Sequence, residues 1–456
     1  MFRGCERPPY ATMPAPMECE ILVVGLGVSG GAFAWALKFT NVRSVVVVEK
    51  NSAPAMVNSS PMNNAQTSHE GDTETNYGLK KALAVRKAAM YLRRYVDSKN
   101  DRTLSRKTTR MVLASGAGKV AQLEERFREF GPHYPHLSLI GPVEIGKLEP
   151  KVMEGRRPGV PVAALLSTEG YAINYQRLTE HFLQDALAHN PEMKVFFNTG
   201  VRSVKRENGM FVVETNHTTV RARTVVFEAG AYSLHFAHKL GYGLQYAILS
   251  VAGSFYSGGR LLNGKVYQPQ IENIPFAAIH GDADLLNPED TRFGPTTKPL
   301  PLMERHQVRT SWDWLRMGLL SPRGVRALVK VLWKNKLLGY VLKNWVFDLP
   351  LIGKWFFLRE VRPIIPTIRH RDLKLRRGAG GIRPQIIDLE SGSLIMGDAT
   401  IVGDGCIFNT TPSPGASVCL ANAKRDAAAV AAFLGEACRF DAEAFEREVG
   451  EPATSH

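Results

Sequence analysis

The feature that most constrains this chain is a glycine-rich turn near its start. Residues 21–24 are all apolar, as expected for a buried parallel strand, and the pattern GLGVSG follows directly at residues 25–30. A helical pattern comes next, and a second apolar segment at residues 45–48 ends in Glu49. In this strand–turn–helix–strand context, GxGxxG predicts a dinucleotide-binding fold.

Each glycine of that pattern has a physical task. Gly25 permits a tight turn, Gly27 lets the backbone approach a pyrophosphate, and Gly30 allows close packing of helix on strand. The amides at the helix N-terminus then face the phosphates. Glu49 is placed to accept a hydrogen bond from a ribose hydroxyl. A glycine-rich turn without a ligand is the alternative, and it leaves Glu49 unexplained.

The segment after Glu49 favours FAD over NAD. Simple NAD-binding folds continue with further strand–helix units, whereas residues 59–67 (SSPMNNAQT) are small, polar and poor in helix formers. Such a loop can place backbone and amide groups along a flavin, with Asn64, Gln66 and Thr67 as the expected contacts. Later cofactor contacts are expected at strand ends and at glycine- or proline-rich helix starts. They are Val201, Gly230, Gly397, Asp398, Pro414, Gly415 and Ala416.

Composition narrows the class of protein only partly. The net charge of +14 attracts anions, which include nucleic acid, anionic lipid and carboxylate substrates. Five cysteines without a CxxC spacing predict neither a zinc site nor a disulfide framework, and we expect no metal. Neither a secretory signal nor a transmembrane helix is expected.

Hydrophobic periodicity gives a coarse secondary structure. We expect a β-rich region over residues 249–310 and an alanine-rich helix ending near Leu434. Further helices are predicted over residues 75–98, 119–130 and 178–187, and strands over residues 194–198, 201–205, 210–215, 223–227, 386–388 and 394–396.

Several blocks together resemble the malate:quinone oxidoreductase family, whose members have the two-domain fold of amino-acid oxidases. The blocks are NAQTSH at 64–69, ETNY at 74–77, EGYAIN at 169–174, GIRPQ at 381–385 and FNTTPSPGA at 408–416. They follow the family's order from about residue 20 to 435, nearly the whole chain. Glu70 departs from the pattern, in which an apolar or small residue often follows the histidine.

The resemblance implies a fold of the α/β class with an α+β second domain. A Rossmann-like FAD-binding domain is interleaved with a mostly antiparallel β substrate domain. We expect the FAD-binding domain to comprise residues 18–110, 165–240 and 380–435, and the substrate-binding domain residues 111–164 and 241–379. The implied activity is oxidation of L-malate to oxaloacetate, with electrons passing through FAD to a membrane quinone.

Such an oxidation needs a base and a receptor for carboxylates. The family pattern places His69 and His280 near the substrate, and histidine suits the base because its pKa lies near neutral pH. Which of the two takes the proton stays open. Arg383 and then Arg292 are the expected carboxylate ligands, with added hydrogen bonds from Asn76 and Tyr77. A structural histidine and a solvated arginine are the alternatives.

Residues 312–359 have an unusual composition, with nine lysines and arginines among tryptophans and leucines. This mixture is typical of an amphipathic element lying in a membrane interface, where a quinone acceptor resides. A helical subdomain packed on the protein is the alternative, and nucleic-acid binding is disfavoured because no reader motif appears. We therefore expect a peripheral protein on the cytoplasmic face of a bacterial inner membrane, or on the mitochondrial inner membrane in a eukaryote.

Two other functions compete with malate oxidation. An FAD-dependent L-2-hydroxyglutarate dehydrogenase or oxidase would use a substrate longer by one methylene, a difference of only about 1–3 kcal/mol in pocket discrimination. A non-enzymatic, basic flavin-binding membrane adaptor would keep the glycine pattern but would need no paired histidine and arginine. An amino-acid oxidase fits the quoted blocks less well.

Overall fold

The computed structural model describes residues 16–270, 278–334, 337–349, 352–395, 399–410 and 414–450. These residues form two compact units. The first comprises the described parts of Met1–Ser59, Gln176–Gln245 and Gly397–His456, and the second those of Ser60–Tyr175 and Tyr246–Met396. Gly397 and Asp398, expected to contact the cofactor, lie outside the described residues, as do residues 411–413 of the FNTTPSPGA block.

The units divide the chain differently from the domains expected from the sequence. Residues 60–110, 165–175 and 380–395 lie in the second unit rather than with the nucleotide-binding strands. The reason is strand pairing, since Ser105–Ser115 pairs with Val162–Ile173 and Ile382–Asp388 pairs with Tyr246–Ala252.

The first unit is built on an eight-stranded sheet with a parallel centre. Val45–Val48 is buried at every position, as expected for a strand covered on both faces. From edge to edge, six strands run in the order Thr400–Gly403, Cys406–Asn409, Thr219–Phe227, Met17–Val24, Val45–Val48 and Lys194–Phe196. The hairpin Val201–Glu207 and Met210–Thr215 pairs with Thr219–Phe227. The α-helices are Val28–Ala36, Tyr175–His189, Ala231–Lys239, Cys419–Leu434 and Ala442–Val449.

Small residues let the first helix lie close to its neighbours. A Cβ at Gly31 would stand 2.7 Å from the Thr179 Cγ2 atom, so that helix Tyr175–His189 packs tightly on Val28–Ala36. Aromatic rings fill the space behind this contact: the Trp35 ring lies 5.6 Å from Phe445, a residue beyond the expected end of the domain. Burying each such large side chain contributes about 1.5–3 kcal/mol.

The second unit contains two sheets, and nearly all of their strands pair in antiparallel fashion. The larger has the order Lys374–Leu375, Tyr256–Ser257, Thr291–Gly294, His280–Ala283, Lys265–Tyr267, Ser105–Ser115, Val162–Ile173 and Leu137–Ile140. The smaller has the order Lys298–Pro299, Tyr246–Ala252, Ile382–Asp388 and Ser393–Ile395. The fold class expected from the sequence is therefore confirmed.

The helices of the second unit fall into two groups. Those of the first half are Leu79–Ser98, Ala117–Phe130, Pro142–Leu148 and Pro150–Met153. Those of the basic segment are Ser311–Leu315, Pro322–Lys334, Leu337–Val346 and Gly353–Val361. Across the part of the chain that the structure describes, no helix is both long and apolar enough to cross a membrane.

Two predicted helices begin later than the sequence suggested. The first, predicted from residue 75, begins at Leu79 because Tyr77 N donates to the Glu74 carbonyl in a turn, and Gly78 caps the helix. The alanine-rich helix begins at Cys419, after a turn in which Ser417 N donates to the Pro414 carbonyl.

Candidate active site

The glycine turn of the first unit follows the strand Met17–Val24, and its three glycines are constrained differently. Gly25 has φ +101°, and a Cβ there would lie 2.6 Å from the Glu228 carbonyl oxygen. A Cβ at Gly30 would lie 2.1 Å from the Gly25 carbonyl oxygen. At Gly27 the nearest atom would be Ser59 Oγ at 3.4 Å, so this position leaves space for a ligand to approach the backbone.

Acidic residues follow the neighbouring strands at the same sheet edge. Val24 is in register with Val48 and with Phe227, so that Gly25, Glu49 and Glu228 come directly after three adjacent strand ends. Ligands of open α/β sheets bind outside such carboxyl ends. Glu49 is buried, and its Oε2 accepts a hydrogen bond of 2.8 Å from Leu26 N. The carboxylate thereby fixes the conformation of the glycine turn. It also lies at the sheet edge where the nucleotide is expected to bind.

The other predicted cofactor contacts of the first unit lie at element boundaries. Gly230 has φ +59° and caps the helix Ala231–Lys239. Val201 is half-buried at the start of its strand. Pro414, Gly415 and Ala416 form the turn before the helix Cys419–Leu434. The open approach at Gly27 and these helix starts suit the phosphates of a dinucleotide such as FAD.

In the second unit, Asn64, Gln66 and Thr67 use their side chains to hold the loop that carries them. Asn64 Oδ1 accepts from Gln66 N at 2.9 Å, and Gln66 has a left-handed backbone, with φ +53°. Gln66 Oε1 accepts from Leu285 N at 3.0 Å, and Thr67 Oγ1 lies 3.2 Å from the Tyr267 hydroxyl. Thr67 is thus tied to a strand of the larger sheet, and Gln66 to the segment that follows the strand His280–Ala283.

His69 follows this loop and forms a short contact with a glutamate. Its Nδ1 lies 2.6 Å from Glu74 Oε1, while Glu74 Oε2 accepts from Gly71 N at 2.8 Å. Glu74 is buried, whereas 23% of the His69 side chain is exposed. The carboxylate is therefore fixed by the backbone and in turn orients an imidazole that solutes can reach.

His280 lies in a more enclosed place, with only 3% of its surface exposed. Its Nδ1 lies 3.0 Å from the Ala278 carbonyl oxygen, and its Nε2 lies 3.4 Å from Asp282 Oδ2. The imidazole lies 4.8 Å from the Tyr267 ring, measured between centroids. Tyr267 links it to Thr67, so that the predicted residues His280 and Thr67 do belong to one neighbourhood.

Four buried charges form a row across the larger sheet. Strand register pairs Arg110 with Lys265, Lys265 with Asp282, and Asp282 with Arg292. Burial lowers the pKa of Lys265 to about 8, although Asp282 opposes this. Burial also raises the pKa of Asp282, but the charges of Lys265 and His280 outweigh that effect and leave the pKa below its ordinary value. These paired charges fix the arrangement of the neighbouring strands close to the predicted site.

Arg292, expected to bind substrate, has partners within the protein. Its Nη1 donates to the carbonyl oxygens of Pro61 and Asn64, both at 3.1 Å, and its Nε lies 3.7 Å from Asp284 Oδ2. These contacts hold the loop that precedes His69. Lys265 does the same, since its Nζ donates to the Ala65 carbonyl at 2.9 Å.

Arg383 contrasts with Arg292, because its side chain makes no hydrogen bond or ion pair with any residue within the described ranges. It lies half-buried on the strand Ile382–Asp388. Burial lowers its pKa, while Tyr340 and Tyr77 act in the opposite direction. Asn76 Oδ1, beside Tyr77, is also buried without a partner among those residues. An enclosed guanidinium without an anion is suited to binding a carboxylate.

Some of these neighbours were not identified from the sequence as site residues. Asp282 follows His280 by two positions on a strand, so alternation places both on one face, and that signal was available. Glu74 lies five residues after His69 in an irregular loop, where no periodicity applies. Lys265 and Tyr340 join the site through strand register and a distant helix, which sequence spacing does not reveal.

The fold and this chemistry define the chain as an FAD-dependent oxidoreductase. The profile of the family described as "FAD dependent oxidoreductase" matches residues 20–425. Among solved structures, L-alpha-glycerophosphate oxidase from Mycoplasma pneumoniae with FAD bound has a TM-score of 0.65 at 17% identity, covering 91% of this chain and 94% of its own. Glycine oxidase from Geobacillus kaustophilus has a TM-score of 0.62 at 15% identity, covering 94% and 98%. These two similarities concern the fold alone.

Within that class, the chain belongs to the malate:quinone oxidoreductase family, which confirms the resemblance found in its sequence. It is 35% identical to a probable malate:quinone oxidoreductase of Campylobacter jejuni, over 95% of this chain and 99% of that protein. It is 36% identical to a malate:quinone oxidoreductase of Helicobacter pylori, over 95% and 98%. FAD is therefore its cofactor.

Proposed function

We propose that this protein oxidises L-malate to oxaloacetate and passes the electrons to a membrane quinone. The names of its relatives support this activity, and so does the enclosed Arg383, which lacks an anionic partner among the described residues. The observation that supports the proposal most strongly is Arg383, because a 2-hydroxy acid offers the carboxylate that such a guanidinium binds. Asn76 and Tyr77 then supply polar contacts to the same substrate.

His69 is the proposed base, with Glu74 orienting it. When bound, FAD supplies the two-electron oxidation. The chain's own tasks are to hold the 2-hydroxy acid and to take its hydroxyl proton. Glu74 accepts the Nδ1 proton of His69, and this tautomer puts the basic lone pair on Nε2. His280, enclosed between Ala278, Asp282 and Tyr267, is assigned to holding the site in shape.

The activity is tested by adding L-malate without oxygen to purified, FAD-loaded protein and following the visible absorbance of the flavin. We expect bleaching by L-malate, reversal by a soluble quinone analogue and no reversal by NAD. Bleaching by L-2-hydroxyglutarate but not by L-malate would transfer the assignment to the longer substrate. A stable flavin spectrum that responds to neither acid would instead support a flavin-binding adaptor.

The helical segment of the second unit is the proposed membrane contact. It combines exposed cations, including Arg316, Arg323, Arg326 and Arg359, with many exposed apolar side chains, of which Trp333 is 82% exposed. Contiguous exposed apolar surface marks a protein or membrane interaction site, and the basic residues favour anionic lipid. The exposed apolar residues are Trp312, Leu315, Leu320, Val325, Val329, Trp333, Leu338, Leu342, Trp345, Leu349, Ile352, Trp355 and Phe356.

The same helices also bury apolar residues against the second unit, as the alternative interpretation of the segment requires. Ala327, Val331, Phe347 and Phe357 are buried, so the helices have an inner apolar face as well as the exposed one. The inner face anchors the segment, and the outer face remains available to lipid. We propose binding at the cytoplasmic face of the membrane.

Sedimentation with vesicles tests this contact. Vesicles that contain anionic lipid should retain the native protein, and the triple variant Trp312→Ser, Trp333→Ser, Trp355→Ser should stay in the supernatant while still oxidising malate with a soluble acceptor. Val143→Ser is the matched control, since Val143 is apolar and 73% exposed but lies outside the segment. Equal sedimentation of the triple variant and the native protein would contradict the proposal.

A further inference from the structure

A second enclosed arginine of the second unit has more positive charge around it than the protein balances. Arg305 is only 10% exposed, and its Nη2 donates to Ser254 Oγ at 2.6 Å. Its Nε and Nη1 are buried and have no hydrogen-bond partner among the residues that the structure describes. Two of the three nitrogens of this guanidinium therefore donate to no group among those residues.

The one nearby carboxylate is already shared. Lys298 Nζ forms a close ion pair with Asp348 Oδ2, and Ser254 Oγ donates to the same oxygen at 2.7 Å. Arg305 lies 3.9 Å from it, and within the described ranges no other carboxylate reaches ion-pair distance of Arg305. Two cations thus face one anion, and an uncompensated buried charge is strongly unfavourable. An anionic ligand would restore the balance.

The position of Arg305 connects it with Arg383. A Cβ at Gly380 would lie 3.6 Å from Arg305 Nε, and Gly380 has φ +98°. Gly380 precedes Arg383 by three residues, which limits the distance between their Cα atoms to about 10 Å. Arg305 therefore lies at the turn that leads into the strand carrying Arg383.

A second route connects the two arginines through one electrostatic interaction and a series of hydrogen bonds. Tyr340 acts electrostatically on Arg383 and hydrogen-bonds to Thr297. The preceding residue, Thr296, accepts from Ser254 N through its Oγ1 at 2.9 Å, and Ser254 Oγ contacts Arg305. The two guanidinia belong to one polar neighbourhood within the second unit.

We propose that Arg305 is the receptor for the second carboxylate of the substrate, with Arg383 holding the carboxylate next to the hydroxyl group. This proposal rests on the proposed function, because it names how the same site selects its substrate. A 2-hydroxy dicarboxylate neutralises both arginines. A 2-hydroxy monocarboxylate leaves Arg305 with, among the described residues, only the carboxylate of Asp348, which it shares with Lys298, so the site discriminates against it.

The test compares the native protein with Arg305→Gln for L-malate and L-lactate in anaerobic flavin reduction. We expect the KM for L-malate to rise roughly 10- to 100-fold, as for loss of a hydrogen bond to a charged group, with little change for L-lactate. The dissociation constant of succinate, measured by calorimetry, should rise by a similar factor. Arg309→Gln is the matched control, because Arg309 is exposed and its side chain, among the residues that the structure describes, bonds only to Gln307.

The outcomes separate this inference from the proposed function. If the native protein oxidises neither L-malate nor L-2-hydroxyglutarate, the proposed function fails. If it oxidises L-malate and Arg305→Gln keeps the native ratio of malate to lactate efficiency, the assignment of Arg305 fails. If Arg305→Gln does not fold, succinate binding to Arg305→Lys decides, because an ammonium lacks the bidentate fork. Native affinity in Arg305→Lys would overturn the proposal, and a loss of about tenfold would support it.

Discussion

The two units hold their expected ligands by different physical means. In the first unit the nucleotide turn is a contiguous stretch, residues 25–30, with Glu49 one strand later. Its contacts are backbone atoms, and its geometry depends on which positions lack a Cβ. In the second unit the predicted polar site collects residues 69–77, 265–270, 280–292, 305 and 383, which only strand pairing and loop packing bring together.

The energetic basis differs as well. A Cβ added within the glycine turn disrupts its conformation, because the surrounding backbone is closely packed and cannot move away. The second unit depends on balance between buried charges, such as Lys265 with Asp282 and Lys298 with Asp348. Such a region tolerates changes of shape better than the loss of one partner. We therefore expect cofactor recognition to be steric and local, and substrate recognition to be electrostatic and distributed.

Substitution of Gly30 by alanine should give the largest effect and tests the steric half of the comparison. The added Cβ would lie 2.1 Å from the Gly25 carbonyl oxygen, so the helix Val28–Ala36 must shift. We expect Gly30→Ala to lose FAD and to destabilise the first unit. Gly27→Ala meets no atom closer than 3.4 Å and should fold normally while binding FAD at least about tenfold more weakly.

Flavin absorbance per mole of protein and the melting temperature measure the two effects separately. If Gly27→Ala impairs only FAD binding, its melting temperature without added FAD should equal that of the native protein without FAD. If Gly27→Ala retained full FAD affinity, the space at Gly27 would have no role in ligand approach. If Gly30→Ala kept both FAD and stability, the turn would be less constrained than its geometry indicates.

This difference explains what the sequence could predict. The strands beside the nucleotide turn, the glycine turn itself and Glu49 were readable because they are encoded by local pattern, whereas the strands Thr400–Gly403 and Cys406–Asn409 were not predicted. Strand Met210–Thr215 was predicted with its observed bounds. The division of residues 60–110 was not, because the strand Ser105–Ser115 pairs with Val162–Ile173, a partner that no local pattern identifies.

The site residues also divide into those that the sequence predicted and those that only the structure revealed. His69, His280 and Arg383 were predicted from the resemblance to the family, and their roles stay predictions. The partners that orient them were harder to find. Lys265 stands opposite Asp282 only because two strands pair in one register, and Arg305 approaches Gly380 across a turn. Charge balance of this kind depends on tertiary structure and cannot be read from spacing.

The two histidines offer a sharper test within the second unit. We expect His69→Asn to lower the rate of flavin reduction by L-malate by about 10²–10⁴-fold, the usual contribution of a general base. Glu74→Gln should lower it less and alter its pH profile, since Glu74 fixes the imidazole through Nδ1. His280→Asn should act mainly on stability because that ring is 3% exposed.

Stopped-flow reduction at saturating L-malate, with thermal melting of each variant, distinguishes these roles. Flavin content confirms that each variant is loaded with cofactor. A large loss of rate in His280→Asn at native stability, together with a small loss in His69→Asn, would exchange the two assignments. If His69 and Glu74 act as one unit, both His69→Asn and Glu74→Gln should lower the rate of flavin reduction.

The smallest expected effect is a dependence of stability on pH that arises from the charged row. Burial lowers the pKa of Lys265 to about 8, below its ordinary value of 10.5. Between these values the unfolded chain holds the proton more tightly than the folded one, so this group makes folding more favourable as the pH rises. The contribution is at most about 1.4 kcal/mol per pH unit. Buried tyrosines such as Tyr267, with a raised pKa, act oppositely near and above pH 10.

Unfolding by urea at pH 8 and pH 9.5 therefore isolates Lys265. Relative to the native protein, Lys265→Met should lose the gain in stability between the two pH values, because methionine carries no proton to release. Lys119→Met is the control, since Lys119 is exposed on the helix Ala117–Phe130 and should leave the difference unchanged. An identical pH dependence in Lys265→Met and the native protein would mean that Lys265 does not titrate in this range. Asp282 alone would then balance the charged row. Electrostatic recognition in the second unit would be supported only by Arg383 and Arg305.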